Sequence, residues 1–353
     1  MIENNFTGIH ENVKEYYSEV LSSKFDLITK ACCSSDSLPE YLKPLLANIH
    51  DEVLTKFYGC GSPIPFSLEG LTVLDLGCGT GRDSFLISQL VGEEGRVIGV
   101  DMTQKQIDVG NNYIDYHTKK FGFKKSNVSF IQGSIENLKE LGIEDESIDL
   151  VISNCVINLS PDKEAVFKEI YRVLKKGGEL YFSDIFSDRR IPADLVSDKV
   201  LLGECLGGAM YTEDFRRTLR KVGFLDYRQT SNSIVDLNDR EVEKKIGMVN
   251  FTSKTIRTFK MEFEDICENY GHVAFYRGGL NESPHRFILD DHHVFEKGLP
   301  VAVCGNTALM LGDSRYGKYF EILGNFSTHY GAFDCSPFDT LNTSSESNGG
   351  SCC

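Results

Sequence analysis

The segment VLDLGCGTGRDSF, which begins at Val73, constrains the fold more than any other part of this sequence. A short apolar strand leads directly into a turn with glycines at 77, 79 and 81, and a helical pattern follows. Glycine permits a tight turn and lets a ligand approach the backbone closely. We therefore predict a strand–turn–helix unit that holds a ligand at the carboxyl end of the strand.

Short apolar segments alternate with amphipathic segments from residue 71 onward. The five predicted strands are LTVLDLG, RVIGVD, VSFIQGS, IDLVISN and GELYFSD. One of the helical segments between them is SPDKEAVFKEIYRVLKKGG, for which Ser160 is the expected N-terminal cap. This alternation predicts an α/β fold with a doubly wound, mostly parallel sheet.

The acidic residue that ends the second strand indicates which ligand the glycine turn holds. Asp101 follows Gly77 by 24 residues, and a carboxylate at this point can accept hydrogen bonds from two ribose hydroxyls. Arg82 stands where a dinucleotide fingerprint requires glycine or alanine, and a pyrophosphate favours an uncluttered helix start. The pattern favours a nucleoside without a pyrophosphate, and a dinucleotide-binding domain is the alternative.

A length of 353 residues favours two domains, and the pattern divides the chain further. Residues 1–70 form a helical segment with cysteines that could act as a lid, and one helix is predicted over PEYLKPLLANIHDEVLTKFYG. Residues 71–235 form the ligand-binding domain, with an insertion at about 187–215. We predict a smaller C-terminal α+β domain over 236–335 and a disordered tail over 336–353.

Charge and hydropathy exclude several classes of partner. The net charge of −15 would repel a nucleic-acid backbone. No segment reaches the roughly 20 apolar residues that span a bilayer, and the N-terminus lacks the pattern of a signal peptide. We therefore expect a cytoplasmic protein. In that compartment its eleven cysteines are expected to be thiols, ligands or redox groups and not a structural disulfide framework.

Cysteines, and not the usual proton acceptors, are placed where a substrate would bind. The only histidine between 71 and 235 is His117, which we expect at the surface. Cys155 follows the fourth strand at the substrate-facing edge, Cys205 lies in the glycine-rich insertion, and Cys78 is expected to pack under the ligand. Cys60 lies upstream, as do Cys32 and Cys33. Converging thiols suit a soft, thiophilic substrate.

Three other interpretations of these cysteines remain open. A structural zinc site usually shows close pairs, whereas 28 residues separate Cys32 from Cys60, 95 separate Cys60 from Cys155, and 50 separate Cys155 from Cys205. A disulfide relay would also favour a close pair. The third interpretation is that these are ordinary buried cysteines.

Residues 71–235 resemble the class I S-adenosylmethionine-dependent methyltransferases, which have a Rossmann-like sheet. VLDLGCGTG, VIGVD, GSIENL, IDLVISNCV and VLKKGGELYFSD correspond to their motifs. The resemblance implies that S-adenosylmethionine is the methyl donor. It also implies that Asp75 and the glycines at 77, 79 and 81 lie against its methionine part. Asp101 would bind the ribose, Ile135 and Glu136 would flank the adenine, and Met102 and Asn154 would complete the pocket.

Nearly the whole chain is similar to the arsenite methyltransferase family. The stretches that carry this similarity are YYSEVL, LITKAC, FYGCG, VIGVDMT, SNCVINLSPDK, GECLGGA and DDHHVFEKGLPVAVCGNTALML. The resemblance places four functional cysteines at Cys32, Cys60, Cys155 and Cys205, with Cys33 as an alternative to Cys32. It implies methyl transfer to trivalent arsenic held by Cys60, Cys155 and Cys205. It also implies a thiol reductant such as glutathione or thioredoxin.

Two other functions and several minor features remain open. The chain could methylate a quinone, a sterol or another small acceptor, or it could sequester a metalloid without catalysis. Asp290, Asp291, His292 and His293 form either a metal site or a charged strand end. Glu204 either orients the arsenical or is solvated. Tyr17 and Tyr58 either border the cofactor pocket as aromatic walls or pack in the core. Cys352 and Cys353 either capture the metalloid or are simply exposed thiols.

Overall fold

The computed structural model describes residues 38–57, 59–196 and 198–335. Predictions for Tyr17, Tyr58, Cys32, Cys33 and the tail pair Cys352–Cys353 lie outside these residues. Within the described part of the chain, no helix is long and apolar enough to cross a bilayer.

An eight-stranded sheet forms the centre of the molecule. Its strands are β1 (Thr72–Leu76), β2 (Arg96–Asp101), β3 (Val128–Gln132), β4 (Ile148–Asn154), β5 (Leu174–Ser187), β6 (Met210–Tyr211), β7 (Tyr227–Ile234) and β8 (Phe251–Phe259). The order is β3-β2-β1-β4-β5-β8-β7, and β6 pairs with the end of β5. The pairs among β1 to β6 are parallel, whereas β8 is antiparallel to β5 and to β7. The predicted mostly parallel α/β sheet is confirmed.

The strand order places a crevice beside β1. The chain leaves β1 for β2 on one side, whereas β4 and β5 lie on the other, so that the order reverses at β1. Leu76 at the end of β1 is in register with Ser153 of β4. The glycine turn and the tip of β4 therefore meet at one edge of the sheet, which is where open α/β sheets bind ligands.

Helices cover both faces of the sheet. They are α1 (Lys43–Leu46), α2 (Asp51–Thr55), α3 (Arg82–Val91), α4 (Gln104–Asn112), α5 (Ile114–Lys120), α6 (Lys163–Val173), α7 (Ala193–Val196), α8 (Lys199–Gly203), α9 (Thr212–Val222) and α10 (Arg240–Ile246). One apolar cluster joins α6 and α9 to the sheet through Phe167 and Phe215. Another joins α3 through Phe85 and Leu86. Because helices cover both sheet faces, β1 and β4 are buried along nearly their whole length.

Three local predictions are wrong in detail. The single helix predicted upstream of the glycine turn is interrupted between α1 and α2, where the side chain of His50 accepts a hydrogen bond from the Glu52 N–H and begins a new helix. Asp162, and not Ser160, caps α6 through a 2.9 Å hydrogen bond from the Ala165 N–H. His117 is buried and stacks on Phe85 at 3.7 Å between ring centroids. Its imidazole thus fills the space between α5 and α3.

The C-terminal part of the chain contains two small sheets. One pairs β10 (Arg286–Ile288) with β11 (Val294–Glu296), and the other has the order β12-β9-β13, formed by Pro300–Val303, His272–Tyr276 and Phe320–Leu323. Helix α11 (Gly305–Gly312) packs on β9 and β13. Strand β8 nevertheless belongs to the large sheet, so the predicted division after residue 235 falls between two paired strands.

Candidate active site

A pocket opens at the carboxyl edge of the large sheet, between the glycine turn, the end of β2 and the tip of β4. The residues that line it are Lys56, Phe57, Asp75, Gly77, Cys78, Gly79, Thr80, Asp83, Asp101, Met102, Thr103, Gln106, Gly133, Ile135, Glu136, Asn154, Cys155, Val156, Leu159 and Ser160. Of the cofactor residues predicted from the sequence, all but Gly81 are among them.

The glycines of the turn serve different purposes. Gly77 and Gly79 have φ values of 69° and 53°, in the left-handed region that favours glycine. A Cβ at Gly77 would come within 2.3 Å of Val156, whereas a Cβ at Gly79 would meet no atom within 4 Å. Gly79 thus leaves open space where a ligand can approach the backbone. Gly81 does not line the pocket, and a Cβ there would collide with Phe130 at 2.4 Å.

Asp101 connects the end of β2 to the glycine turn. One carboxylate oxygen accepts a 2.8 Å hydrogen bond from the Thr103 N–H, and the other accepts a 3.0 Å hydrogen bond from the Gly79 N–H. Burial raises the pKa of Asp101, although these backbone donors oppose that effect. Each oxygen retains a lone pair for a further donor. The carboxylate is therefore fixed in place and still able to accept two hydroxyl hydrogen bonds.

Asp75 is a buried carboxyl group at the floor of the pocket. The Ser84 hydroxyl donates to it at 2.6 Å. Burial, and then the nearby charge of Asp83, raise the pKa of Asp75 to about 7. A cationic ligand group in the pocket would favour the ionised form of this carboxyl group.

Met102, Ile135 and Glu136 form the side of the pocket beyond Asp101. The Ser160 hydroxyl donates to the Glu136 carboxylate at 2.6 Å, and the Ser134 hydroxyl donates to its other oxygen. These contacts hold Glu136 beside the apolar side chain of Ile135. An apolar wall with an adjacent acceptor suits a heteroaromatic base that carries an amino group.

Two cysteines have unusual backbone conformations: Cys155, which lines this pocket, and Cys205, which is buried against Cys155. Cys155 follows β4 with a φ of 57°, and Cys205 follows α8 with a φ of 64°. The Cys205 thiol donates to the Cys155 carbonyl at 3.1 Å. Non-glycine residues seldom adopt left-handed backbone conformations, and those that do cluster at functional sites. Tertiary contacts thus bring together two residues that are 50 positions apart.

A third cysteine is held in place by Asn154. The Asn154 amide oxygen accepts hydrogen bonds from the N–H groups of Cys60 and Gly61 at 3.1 and 3.3 Å, and its nitrogen donates to the Gly61 carbonyl at 3.0 Å. Ser253 of β8 donates to the Cys60 carbonyl at 2.8 Å. The segment before the sheet is thereby fixed over the tip of β4.

Cys60 and Cys155 form a disulfide in this structure, whereas Cys205 remains a thiol. Thiols, ligands or redox groups are predicted for these cysteines, and a disulfide between Cys60 and Cys155 is one form that such a redox group takes. The argument that a redox pair should be close in sequence is wrong, because the Asn154 hydrogen bonds join residues separated by 95 positions. Both sulfurs must be reduced before they can bind a soft substrate.

Sequence reasoning missed Asp184, which ends the predicted strand GELYFSD. An oxygen of its carboxyl group lies within 4.8 Å of the sulfurs of Cys60 and Cys155. Burial raises the pKa of Asp184 to about 7, and burial lowers the pKa of nearby Lys163 to about 8. Glu204 is also buried, so the interpretation that it is solvated is wrong. The sequence signal for Asp184 was its place at the end of the predicted strand GELYFSD.

The guanidinium group of Arg228 contacts the cluster of Asp290, His292 and His293. Arg228 forms a salt bridge with Asp290 at 3.2 Å, and His293 lies 2.9 Å from the same carboxylate. Asp290 is fully buried. Because Arg228 already supplies the positive charge, the geometry favours a charged turn between β10 and β11 over a metal site.

Comparison with known proteins identifies the family. Residues 67–223 match a methyltransferase domain model. An arsenite methyltransferase of Aquipseudomonas alcaligenes is 49% identical over 92% of this chain and 94% of its own length. The crystal structure of an arsenic(III) S-adenosylmethionine methyltransferase from Chlamydomonas reinhardtii matches with a TM-score of 0.82 and 50% identity. That match covers 84% of this chain and all of the other. The chain belongs to the arsenite methyltransferase family.

Membership of the arsenite methyltransferase family makes the protein a methyltransferase that uses S-adenosylmethionine. A demethylmenaquinone methyltransferase of Lactococcus lactis is 38% identical, but over only 32% of this chain. The arsenite methyltransferase of mouse is 45% identical over 88% of this chain. The similarity to this quinone methyltransferase is thus confined to about a third of the chain, whereas the similarity to arsenite methyltransferases extends over most of it.

Proposed function

We propose that the protein transfers a methyl group from S-adenosylmethionine to trivalent arsenic held by Cys60, Cys155 and Cys205. The observation that carries this proposal is that three cysteines pack in one buried cluster beside the pocket. Cys155 lines the pocket, and its sulfur is bonded to the sulfur of Cys60. The Cys205 thiol donates to the Cys155 carbonyl. A quinone or sterol acceptor would have no use for this group of sulfurs.

The pocket residues fit S-adenosylmethionine. Asp101 is oriented to accept hydrogen bonds from the ribose hydroxyls, Ile135 and Glu136 form the adenine wall, and Asp75 lies where a cationic amino acid part would be bound. Gly79 leaves room for the ligand next to the backbone, and Met102 and Asn154 complete the lining. The bound cofactor supplies an electrophilic methyl group on a sulfonium centre.

The three thiols bind arsenic without a change of oxidation state. Arsenous acid, As(OH)₃, exchanges its three hydroxyl groups for three cysteine sulfurs and releases three water molecules. The resulting centre retains a lone pair and has no proton to lose, so that methyl transfer needs no general base. Cys155 and Cys205 orient the lone pair towards the methyl group, and proximity supplies much of the rate.

The disulfide between Cys60 and Cys155 is the oxidised product that the electron balance of this reaction requires. Transfer of the methyl group to the lone pair raises arsenic from the trivalent to the pentavalent state. When the sulfurs of Cys60 and Cys155 leave arsenic as a disulfide, they return two electrons to it, and water replaces them with release of a proton. Methylated trivalent arsenic then remains on Cys205. A thiol reductant such as glutathione or thioredoxin must reopen the disulfide, and a reducing compartment such as the cytoplasm is where such a reductant is available.

Asp184 is fixed beside these sulfurs, because its two carboxyl oxygens accept hydrogen bonds from the Ile185 and Asn158 N–H groups at 2.9 and 3.1 Å. Because burial raises the pKa of this carboxyl group to about 7, its proton is retained near neutral pH more readily than that of an ordinary aspartate. A raised pKa reduces the repulsion between the Asp184 carboxylate and the thiolates of Cys60 and Cys155, because the carboxyl group is ionised for a smaller fraction of the time. We therefore assign Asp184 a positioning role and not a role as a base.

Methyl transfer from labelled S-adenosylmethionine tests the proposal. The protein is first reduced with dithiothreitol and then given arsenite, a demethylated quinone or no acceptor. We expect labelled methylarsenicals only with arsenite and only after reduction. Transfer to the quinone, or arsenite binding without transfer by a protein that binds S-adenosylmethionine, would contradict the proposal.

A further inference from the structure

Three cysteines outside the active site converge in the C-terminal part of the molecule. The sulfur atoms of Cys267, Cys304 and Cys335 all lie within 4.8 Å of one another, and all three residues are thiols. Cys304 is fully buried, whereas Cys267 and Cys335 are partly exposed. None of the three lines the S-adenosylmethionine pocket. The cluster is thus a second group of thiols, and a solute can reach it.

Backbone hydrogen bonds hold the three segments together independently of the thiols. The Phe333 N–H donates to the Cys267 carbonyl at 2.8 Å, and the Asn269 N–H donates to the Gly331 carbonyl at 2.8 Å. The Gly305 N–H donates to the Glu268 carbonyl at 2.9 Å. These contacts align the residues next to each cysteine. The sulfurs are therefore brought together by the fold before any ligand binds.

The surroundings of Cys304 favour its thiolate. Its sulfur caps α11, where the Thr307 N–H donates to it at 3.4 Å, and Arg228 donates to it at 3.8 Å. Hydrogen bonds from the thiols of Cys267 and Cys335, together with the charge of Arg228, lower the pKa of Cys304. A thiolate is the form of cysteine that binds soft ligands.

The ligand set of the cluster consists of three sulfurs and no fourth donor of a similar kind. Among the described residues, no histidine, aspartate or glutamate has a ligand atom within 4.8 Å of all three sulfurs. Structural zinc is almost always four-coordinate. Trivalent arsenic forms three bonds and keeps a lone pair. Three sulfurs thus complete the coordination of arsenic but not that of zinc.

Charge balance favours the same ligand. Arg228 is already paired with Asp226 at 2.8 Å and with Asp290 at 3.2 Å. Three thiolates around a divalent cation would add a negative charge next to these carboxylates, of which Asp290 is fully buried. Three thiolates around trivalent arsenic form a neutral group, which adds no charge that the interior must compensate.

We propose that Cys267, Cys304 and Cys335 form a second, non-catalytic binding site for trivalent arsenic. Arsenous acid exchanges its three hydroxyl groups for the three sulfurs, and the three thiol protons leave with them as water. Arsenic remains trivalent throughout, so the site needs neither an oxidant nor a reductant once its thiols are reduced. The site does not rest on methyl transfer at the active site and is tested without S-adenosylmethionine.

The first test uses a full-length chain in which the other sulfur-rich positions are removed. Its serine substitutions are at Cys32, Cys33, Cys60, Cys155, Cys205, Cys352 and Cys353. After reduction, incubation with arsenite and desalting, we expect about one arsenic per chain by mass spectrometry, with three sulfur neighbours by X-ray absorption. Adding Cys304→Ser should reduce the arsenic content to near zero. Adding Cys78→Ser, which changes a buried thiol elsewhere, should leave it unchanged.

A second measurement keeps the proposal testable if that chain does not fold. The reduced wild-type protein should bind one arsenic more per chain than the single variant Cys304→Ser, under the same conditions. Equal arsenic contents would overturn the proposal. So would retention of Zn²⁺ by the wild-type chain at this site in the presence of equimolar arsenite, or a disulfide within the cluster that resists reduction.

Discussion

Cys155 and Cys205 each hold a left-handed backbone conformation that costs a non-glycine residue on the order of 1–3 kcal/mol. The surrounding structure maintains this strain in both residues. The Cys155 N–H donates to the Ser183 carbonyl at 2.8 Å, and the Cys205 N–H donates to the Leu202 carbonyl at 3.0 Å. At the residue scale, the fold therefore gives up stability to hold Cys155 at the pocket and the Cys205 thiol against the Cys155 carbonyl.

Cys155→Ser and Cys205→Ser should each reduce arsenite methylation by at least about 100-fold, because a hydroxyl group is a poor ligand for soft trivalent arsenic and the substrate loses its orientation. S-adenosylmethionine binding should stay near normal in both variants. The measurements are turnover with labelled donor and donor affinity by calorimetry. Wild-type turnover in either variant would show that its cysteine is not an essential ligand.

Asp101→Ala should weaken S-adenosylmethionine binding, because the variant loses charged hydrogen bonds worth about 1.5–3 kcal/mol each. The Gly79 and Thr103 N–H groups also lose their acceptor. Isothermal titration should show an affinity lower by roughly 10- to 100-fold or more. Arsenite binding should persist as the control. Unchanged donor affinity would mean that the ribose lies elsewhere.

Asp75 should make the stability of the free protein depend on pH. Its pKa is raised to about 7, so the folded state holds the proton more tightly than the unfolded state does. The free energy of unfolding should therefore fall as pH rises from about 4 to about 7, by up to about 4 kcal/mol from this group. Asp75→Asn should reduce this slope in urea denaturation experiments. Asp108→Asn, at an exposed carboxylate, is the control and should leave the slope unchanged.

At the element scale, the important contact joins the segment before β1 to the tip of β4. The Asn154 side chain makes three hydrogen bonds to residues 60 and 61 and a fourth, at 2.9 Å, to Asp83 of α3. A Cβ at Gly61 would lie 2.5 Å from the Ser183 hydroxyl, so that only glycine lets the segment lie this close to β5. Cys60 is thereby delivered to the site by a segment outside the central sheet.

Cys60→Ser should distinguish the first methylation from the later ones. Arsenite needs three sulfurs, whereas methylarsenite already carries one carbon and needs only two, which Cys155 and Cys205 can supply. We expect Cys60→Ser to lose activity on arsenite and to retain measurable activity on methylarsenite, as we also expect for Cys32→Ser. Chromatographic separation of the products provides the measurement. Equal loss on both substrates would contradict this division of labour.

At the scale of the whole molecule, a buried ionic network joins the large sheet to the C-terminal part. Glu179 of β5 is fully buried and pairs with Arg257 of β8 at 2.7 Å and with Arg315 at 2.5 Å. Arg257 also donates to the Leu289 carbonyl at 2.8 Å and to the Tyr316 hydroxyl at 2.7 Å. The two parts therefore share charges that neither could bury alone.

Glu179→Gln should destabilise the protein by about 3–5 kcal/mol, because it leaves the buried Arg257 guanidinium and the partly buried Arg315 guanidinium without their carboxylate. Urea denaturation at neutral pH measures the change. Glu144→Gln, at an exposed carboxylate, should alter the free energy of unfolding by less than about 0.5 kcal/mol. A similar effect of the two substitutions would show that the network contributes little to stability.

Local patterns in the sequence determined the strands, the glycine turn and the acid at the end of the second strand. These features depend on neighbours in the chain, since strand periodicity, left-handed glycines and a strand-end carboxylate are specified within a few residues. The same reasoning placed Cys155 at the edge of the sheet, because a parallel strand has a defined functional end.

Only the tertiary structure decided which distant residues meet. Strand register and the Asn154 hydrogen bonds bring Cys60 to Cys155. Parallel pairing of β4 and β5 brings Asp184 beside these two cysteines. The backbone contacts of Glu268 and Phe333 assemble the second group of thiols. Long-range pairing also placed β8 in the large sheet. These outcomes depend on contacts between residues tens to hundreds of positions apart, for which a single sequence carries no periodic signal.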